Sequence, residues 1–186
     1  MAKQLLREYF ELCPDGICRL DYLTEVERKS LTRGGSYLTG VCQRAGMKNG
    51  NGRIYSKEIL LRESERYQAA IKNCTATGQL DHPSESIIDL REVSHVCTGL
   101  WWSGDDLIGK FEILPTPNGQ TLKALVESGI KLGVSSRGLG SLRETRQGSI
   151  VEDDFQLICF DVVSEPSTDG AYILPDNSGL AEALSK

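Results

Sequence analysis

From Ser56 to Asn73 the residues Leu60, Ser64, Tyr67 and Ile71 recur at helical spacing, while Arg62, Glu63, Glu65 and Arg66 fall elsewhere on the wheel. This spacing predicts an amphipathic packing helix with Ser56 at its cap and the charged residues covering its other side. A second helical stripe, Leu122, Leu125, Val126 and Ile130, follows the break at Thr116-Pro117-Asn118-Gly119. Thr121 or Asn118 would cap that helix and Gly133 would end it near Leu132.

Alternation marks the strands. Val93 to Trp102 and Leu107 to Leu114 flank Ser103-Gly104-Asp105-Asp106, a hairpin signature, with Leu107, Gly109, Phe111 and Ile113 on one face. Ser36 to Cys42 reads as a strand leading into the glycine-rich loop Met47 to Arg53, and Phe155 to Val163 is the most apolar strand candidate. Leu142 to Asp154 is polar and predicts an exposed hairpin or loop. Residues 1 to 35 are punctuated by proline and glycine and predict an irregular arm or peripheral strand. A domain over 36–175 and a C-terminal tail over 176–186 complete the division.

A chain of 186 residues with 39% hydrophobic and 25% charged positions has the composition of one globular domain. Its net charge of −5 argues against an electrostatic grip on nucleic acid. The N-terminal residues lack a signal-peptide core and no later segment has the length of a membrane span, which predicts a soluble intracellular protein. The six cysteines, Cys13, Cys18, Cys42, Cys74, Cys97 and Cys159, show no two-residue spacing of zinc or redox type, and are read as reduced thiols.

The densest chemistry lies in Gly133-Val134-Ser135-Ser136-Arg137-Gly138-Leu139-Gly140-Ser141. Its glycines suggest a tight turn, and a serine held on such a turn becomes a nucleophile once a base removes its proton. The chain offers two histidines as that base, His82 beside Pro83 and His95 within a strand, and Asp161 or Glu165 as the group that would orient it. Proline restricts His82 to extended backbone at a strand end or loop, whereas a strand histidine such as His95 is more often structural. The pattern departs from the Gly-x-Ser-x-Gly elbow because the second glycine is displaced by one residue. Two other readings are weaker. A phosphate-binding nest built on Arg137 lacks the nucleotide-loop lysine and follows a helix rather than preceding one, and a Cys97–His95 thiol site has poor alignment along one strand.

Five motifs in order give the chain a resemblance to the prohead core proteases of T-even-type tailed bacteriophages. They are Asn51-Gly52-Arg53-Ile54-Tyr55, Gly78-x-Leu80-x-His82-Pro83, Trp101-Trp102-x-Gly104-x-Asp106, the segment Gly133 to Ser141, and Asp161-x-Val163-x-x-Pro166-Ser167. The resemblance implies an α+β fold like that of herpesvirus capsid proteases, a mostly antiparallel β-barrel with packed helices. It implies a serine endopeptidase without metal or organic cofactor, acting on phage capsid and scaffold proteins inside the prohead, in the host cytoplasm. Self-association is left open, and neither nucleic acid nor membrane is expected as a partner.

By the same resemblance Ser135 is the nucleophile, His82 the base and Asp161 the orienting acid, with Glu165 as the alternative third member. N–H groups around Arg137 and Gly138 are the oxyanion candidates. Cleavage is expected after glutamate in Leu-x-Glu or Ile-x-Glu, with Arg137 or Arg143 as the cation that would receive the glutamate. Leu180-Ala181-Glu182 and Leu6-Arg7-Glu8 then become candidate self-cleavage sites. The rival is a catalytically silent relative that serves as a scaffold or capsid-binding subunit.

Overall fold

The structure, a computed structural model, describes residues 4–11, 36–130 and 132–164. The elements in chain order are β1 (Gln4–Glu11), β2 (Tyr37–Arg44), β3 (Arg53–Ile54), α1 (Lys57–Lys72), β4 (Thr77–Gln79), β5 (Val93–Ser103) and β6 (Asp106–Ile113). They continue with α2 (Pro117–Glu127), β7 (Gly133–Gly140), β8 (Leu142–Thr145), β9 (Gly148–Val151) and β10 (Gln156–Val163). The class is α+β and strand-rich.

The strands form three sheets, ordered β1-β7-β10, β2-β6-β5-β4 and β3-β9-β8. The expected barrel is not a closed hydrogen-bonded cylinder among the described residues. The first two sheets meet at a parallel bridge between Leu80 and Val162, reinforced by the Asp81 amide donating to the Val162 carbonyl at 2.8 Å. That seam sets His82, two residues beyond Leu80, against the end of β10.

The β5–β6 hairpin forms where alternation predicts it, and Gly104 turns it with φ of 61°, a conformation that only glycine adopts readily. Phe111 from this hairpin, Leu38 and Cys42 from β2, and Val134, Phe160 and Val162 from the β7–β10 pair share one core. Phe160 meets both Tyr67 and Phe111 edge-on, at ring separations of 5.5 and 6.1 Å. Fully burying an aromatic of this kind stabilises the fold by about 1.5–3 kcal/mol.

Helix α1 starts where expected, with the Ser56 hydroxyl accepting from the Ile59 amide at 3.3 Å. Its charged side is not simply solvated. Glu63 is buried and accepts from the Leu157 amide at 2.8 Å, while Arg62 and Arg66 donate to the carbonyls of Phe155 and Leu157 at 2.9 and 2.7 Å. The helix thereby fixes the first half of β10.

Two boundaries differ from expectation. Thr116, not Thr121 or Asn118, caps α2, its hydroxyl accepting from the Gly119 amide at 3.0 Å. The helix ends at Glu127 because Gly129 takes φ of 74° and its amide returns to the Val126 carbonyl. In the N-terminal arm the peripheral-strand alternative holds over Gln4–Glu11: β1 lies at the edge of its sheet, paired along the whole of β7. No helix among the described residues is long and apolar enough to cross a membrane.

Candidate active site

The Gly133–Gly140 segment is not a turn. It is the middle strand of its sheet, with β1 on one edge and β10 on the other, so its glycines serve packing rather than chain reversal. At Gly138 a Cβ would lie 2.5 Å from the Phe155 ring and 2.7 Å from the Gln156 carbonyl oxygen. Extended backbone instead sorts the side chains by parity. Ser135 and Arg137 project to one face of the sheet, and Val134 and Ser136 to the other.

The register of β10 completes each face. Ser135 lies directly opposite Asp161 and Arg137 opposite Cys159, whereas Ser136 lies opposite Phe160 on the core side. Asp161 accepts from His82 Nδ1 at 3.1 Å through Oδ2. A carboxylate can only accept there, so Nδ1 carries the proton in the neutral ring, and Nε2 is the nitrogen with the basic lone pair. Asp161, far from both in sequence, is thus bonded to His82 and lies across the ladder from Ser135, whose hydroxyl donates to the Ser136 carbonyl at 3.5 Å.

A buried carboxylate needs partners. Asp161 also takes the Arg137 guanidinium, Nε to Oδ2 at 2.9 Å and Nη2 to Oδ1 at 3.1 Å, and the Gln79 amide to Oδ1 at 3.1 Å. The Cys159 thiol sits 3.5 Å from the same Oδ1, and burial, with Asp161 beside it, pushes that thiol well above its ordinary range. It is therefore a neutral neighbour rather than a thiolate nucleophile.

Arg137 is fully buried and its donors are committed. Besides Asp161 it donates to the Gln79 side-chain oxygen at 2.7 Å and to the Glu85 carbonyl at 2.8 Å. The expectation that it opens toward a substrate carboxylate is corrected by this geometry. Gly138 likewise sits in a strand flanked on both edges and packed against Phe155, which does not suit an exposed oxyanion donor. Arg143 lies in β8 with 55% of its side chain exposed and holds Glu152 at 2.7 Å.

The other sequence candidates separate clearly. His95 is completely buried in β5, where Nε2 donates to the Phe160 carbonyl at 3.0 Å and Nδ1 lies 2.8 Å from the Ser94 hydroxyl. Burial pulls its pKa below the ordinary value, so it is a neutral structural ring. Ser136 accepts from the Gln43 side-chain amide and links β7 to β2. Cys97 is also buried, its thiol donates to the Gly99 carbonyl at 3.3 Å while both His95 nitrogens are bonded elsewhere, and burial pushes the thiol up to about 12, none of which suits a Cys97–His95 thiolate site. Glu165 and Glu182 lie outside the described residues, and Glu8 lies in β1 opposite Ser136.

Gln79 is the participant that sequence reasoning missed. Its position three residues before His82 was the available signal, but its partners come from β7 and from the segment after His82. Asp81, between them, adopts φ of 54°, and its carboxylate lies 3.4 Å from both the amide and hydroxyl of Ser164. This uncommon backbone stands directly before His82, whose Nδ1 bonds Asp161.

The chain is similar to proteins already known. The family model described as prohead core protein serine protease matches residues 16–182. The prohead core protein protease of Enterobacteria phage T4 is 34% identical over 146 residues, covering 76% of this chain and 69% of the relative. Among solved structures, the bacteriophage T4 capsid assembly protease is similar with a TM-score of 0.74 and 30% identity, over 88% of this chain and 99% of that one. The chain belongs to the prohead core protein serine protease family of bacteriophage capsid-assembly proteases.

Proposed function

We propose that this protease is a serine endopeptidase in which Ser135 attacks the scissile carbonyl, His82 Nε2 takes its proton, and Asp161 holds the ring. The carrying observation is Asp161 itself, bonded to His82 Nδ1 at 3.1 Å and paired across the ladder with Ser135. Acylation would form the Ser135 ester as imidazolium His82 returns its proton to the leaving amine, and water would reverse the sequence. Ser136 faces the core and is a poor alternative. Because Ser135 has no solvent exposure, substrate entry must open the centre.

The substrates on this reading are phage scaffold and capsid proteins, cut after glutamate in Leu-x-Glu or Ile-x-Glu within the prohead, in the host cytoplasm. Arg143 is the better placed cation for the glutamate, since its guanidinium reaches the surface and already holds a carboxylate. Self-cleavage after Glu182 belongs to the same proposal. Glu8 is the poorer site, because a peptide bond inside a paired strand resists entry to another active centre. The likeness to herpesvirus capsid proteases remains supported by the sequence resemblance.

The test is intact-mass analysis of a scaffold polypeptide carrying Leu-x-Glu, incubated beside its Leu-x-Gln counterpart. Scission confined to the glutamate form is expected. Scission of both forms would remove the specificity claim, and scission of neither would favour a silent scaffold subunit.

A further inference from the structure

The segment after His82 is tied back into the buried centre at two carbonyls. Arg137 Nη1 donates to the Glu85 carbonyl at 2.8 Å, and Gln79 Nε2 donates to the Asp89 carbonyl at 3.2 Å. The two anchoring side chains also bond each other, through Arg137 Nη2 and Gln79 Oε1 at 2.7 Å, and Asp161 is reached by the Arg137 guanidinium and by the Gln79 backbone N–H. One buried fork therefore spans three parts of the centre: the acid on β10, the end of β4, and the segment that carries the base.

We propose that Arg137 and Gln79 are positioning residues, which fix the Asp161 carboxylate and hold the 83–89 segment so that His82 meets it in one orientation. The inference rests on the serine-protease reading above and adds to it two residues that touch neither substrate nor the reacting atoms. Arg137 also sets the charge around the acid. Besides His82, the titratable groups that respond to Asp161 are Cys159 on its own strand, Tyr67 on α1 and His95 on β5. Burial raises the thiol and the phenol and lowers the imidazole, so all three stay neutral near neutral pH. The guanidinium is then the fixed positive charge against Asp161, and it competes with the imidazolium form of His82 for the same carboxylate.

Two variants separate these effects. Gln79→Met keeps the bulk and the guanidinium but removes the tie to the segment, whereas Arg137→Gln removes the fork and its charge. For Gln79→Met, cleavage of a Leu-x-Glu peptide should fall in kcat by up to about a hundredfold, the scale of a displaced catalytic group, with KM little changed. For Arg137→Gln, kcat should fall at least as far, again with KM little changed.

A Gln79→Met enzyme with unchanged kcat would overturn the proposal. So would an Arg137→Gln enzyme whose loss lies wholly in KM for glutamate peptides, since that would make Arg137 the substrate receptor. If Arg137→Gln does not fold, as judged by thermal unfolding, the Gln79→Met kinetics decide alone. Ser135→Ala run alongside distinguishes the two layers: a Ser135→Ala protein that still cleaves refutes the serine reading, whereas an inactive one leaves the positioning claim to the Gln79 result.

Discussion

Ser135 and Asp161 face each other across the β7–β10 ladder, so one strand register determines both the nucleophile candidate and the acid that holds its base. A one-residue slip would send Ser136 to that face and Ser135 to the core. Ser136→Ala should therefore act on stability rather than catalysis. Losing the hydroxyl leaves the buried Gln43 amide without that acceptor and should cost about 1–3 kcal/mol. Urea unfolding measures this, and a Ser136→Ala protein that is fully stable but inactive would contradict it.

The Arg137–Asp161 pair gives a second stability prediction. Both side chains are completely buried, and removing one partner of such a pair costs about 3–5 kcal/mol because the other is left uncompensated. Arg137→Ala should lower the denaturation midpoint accordingly. A loss below about 1 kcal/mol would show that the pair is solvated.

His95 makes folding depend on pH. Its native pKa lies below the unfolded value of 6.5 because burial disfavours the charged ring. The unfolded chain then binds the extra proton, so stability is fully present above about pH 6.5 and declines as pH falls below it. Urea midpoints from about pH 7.5 down to about pH 5.5 should show this decline, and a folded His95→Gln protein should have a shallower one. An identical slope in both would remove His95 as its source.

Much of this was legible in the chain. The β5–β6 hairpin, the start of α1 and the apolar β10 strand follow from alternation, helical spacing and the Ser56 cap. The Gly133–Ser141 segment misleads because glycine and serine are typical of turns, yet here Gly138 makes room for the Phe155 ring in a central strand. Parity along that strand, once known, separates Ser135 from Ser136 directly. The fate of Arg137 was not legible, since an arginine beside a serine pair reads equally well as an anion receptor. Only the fold brings Asp161, Gln79 and the Glu85 carbonyl to it. The burial of Glu63 is not legible either, since periodicity locates a helix face but not the strand amide that lies against it.

Asp81 bears on the same centre through its backbone. A non-glycine residue at φ of 54° is strained, more so when β-branched. Asp81→Gly should retain stability or gain slightly, whereas Asp81→Val should lose about 1–2 kcal/mol and displace His82. Thermal unfolding of the two variants provides the comparison, and equal losses would point to the Ser164 contacts instead.

On the proposed reading Ser135, rather than its neighbour, carries out peptide hydrolysis with His82 and Asp161. The most direct measurement is mass spectrometry of a Leu-x-Glu peptide incubated with the wild-type protein, Ser135→Ala and Ser136→Ala under one set of conditions. Cleavage after glutamate by the wild-type and folded Ser136→Ala proteins, and none by Ser135→Ala, is the predicted result. Cleavage that persists in Ser135→Ala, or that vanishes only in Ser136→Ala, would contradict the account.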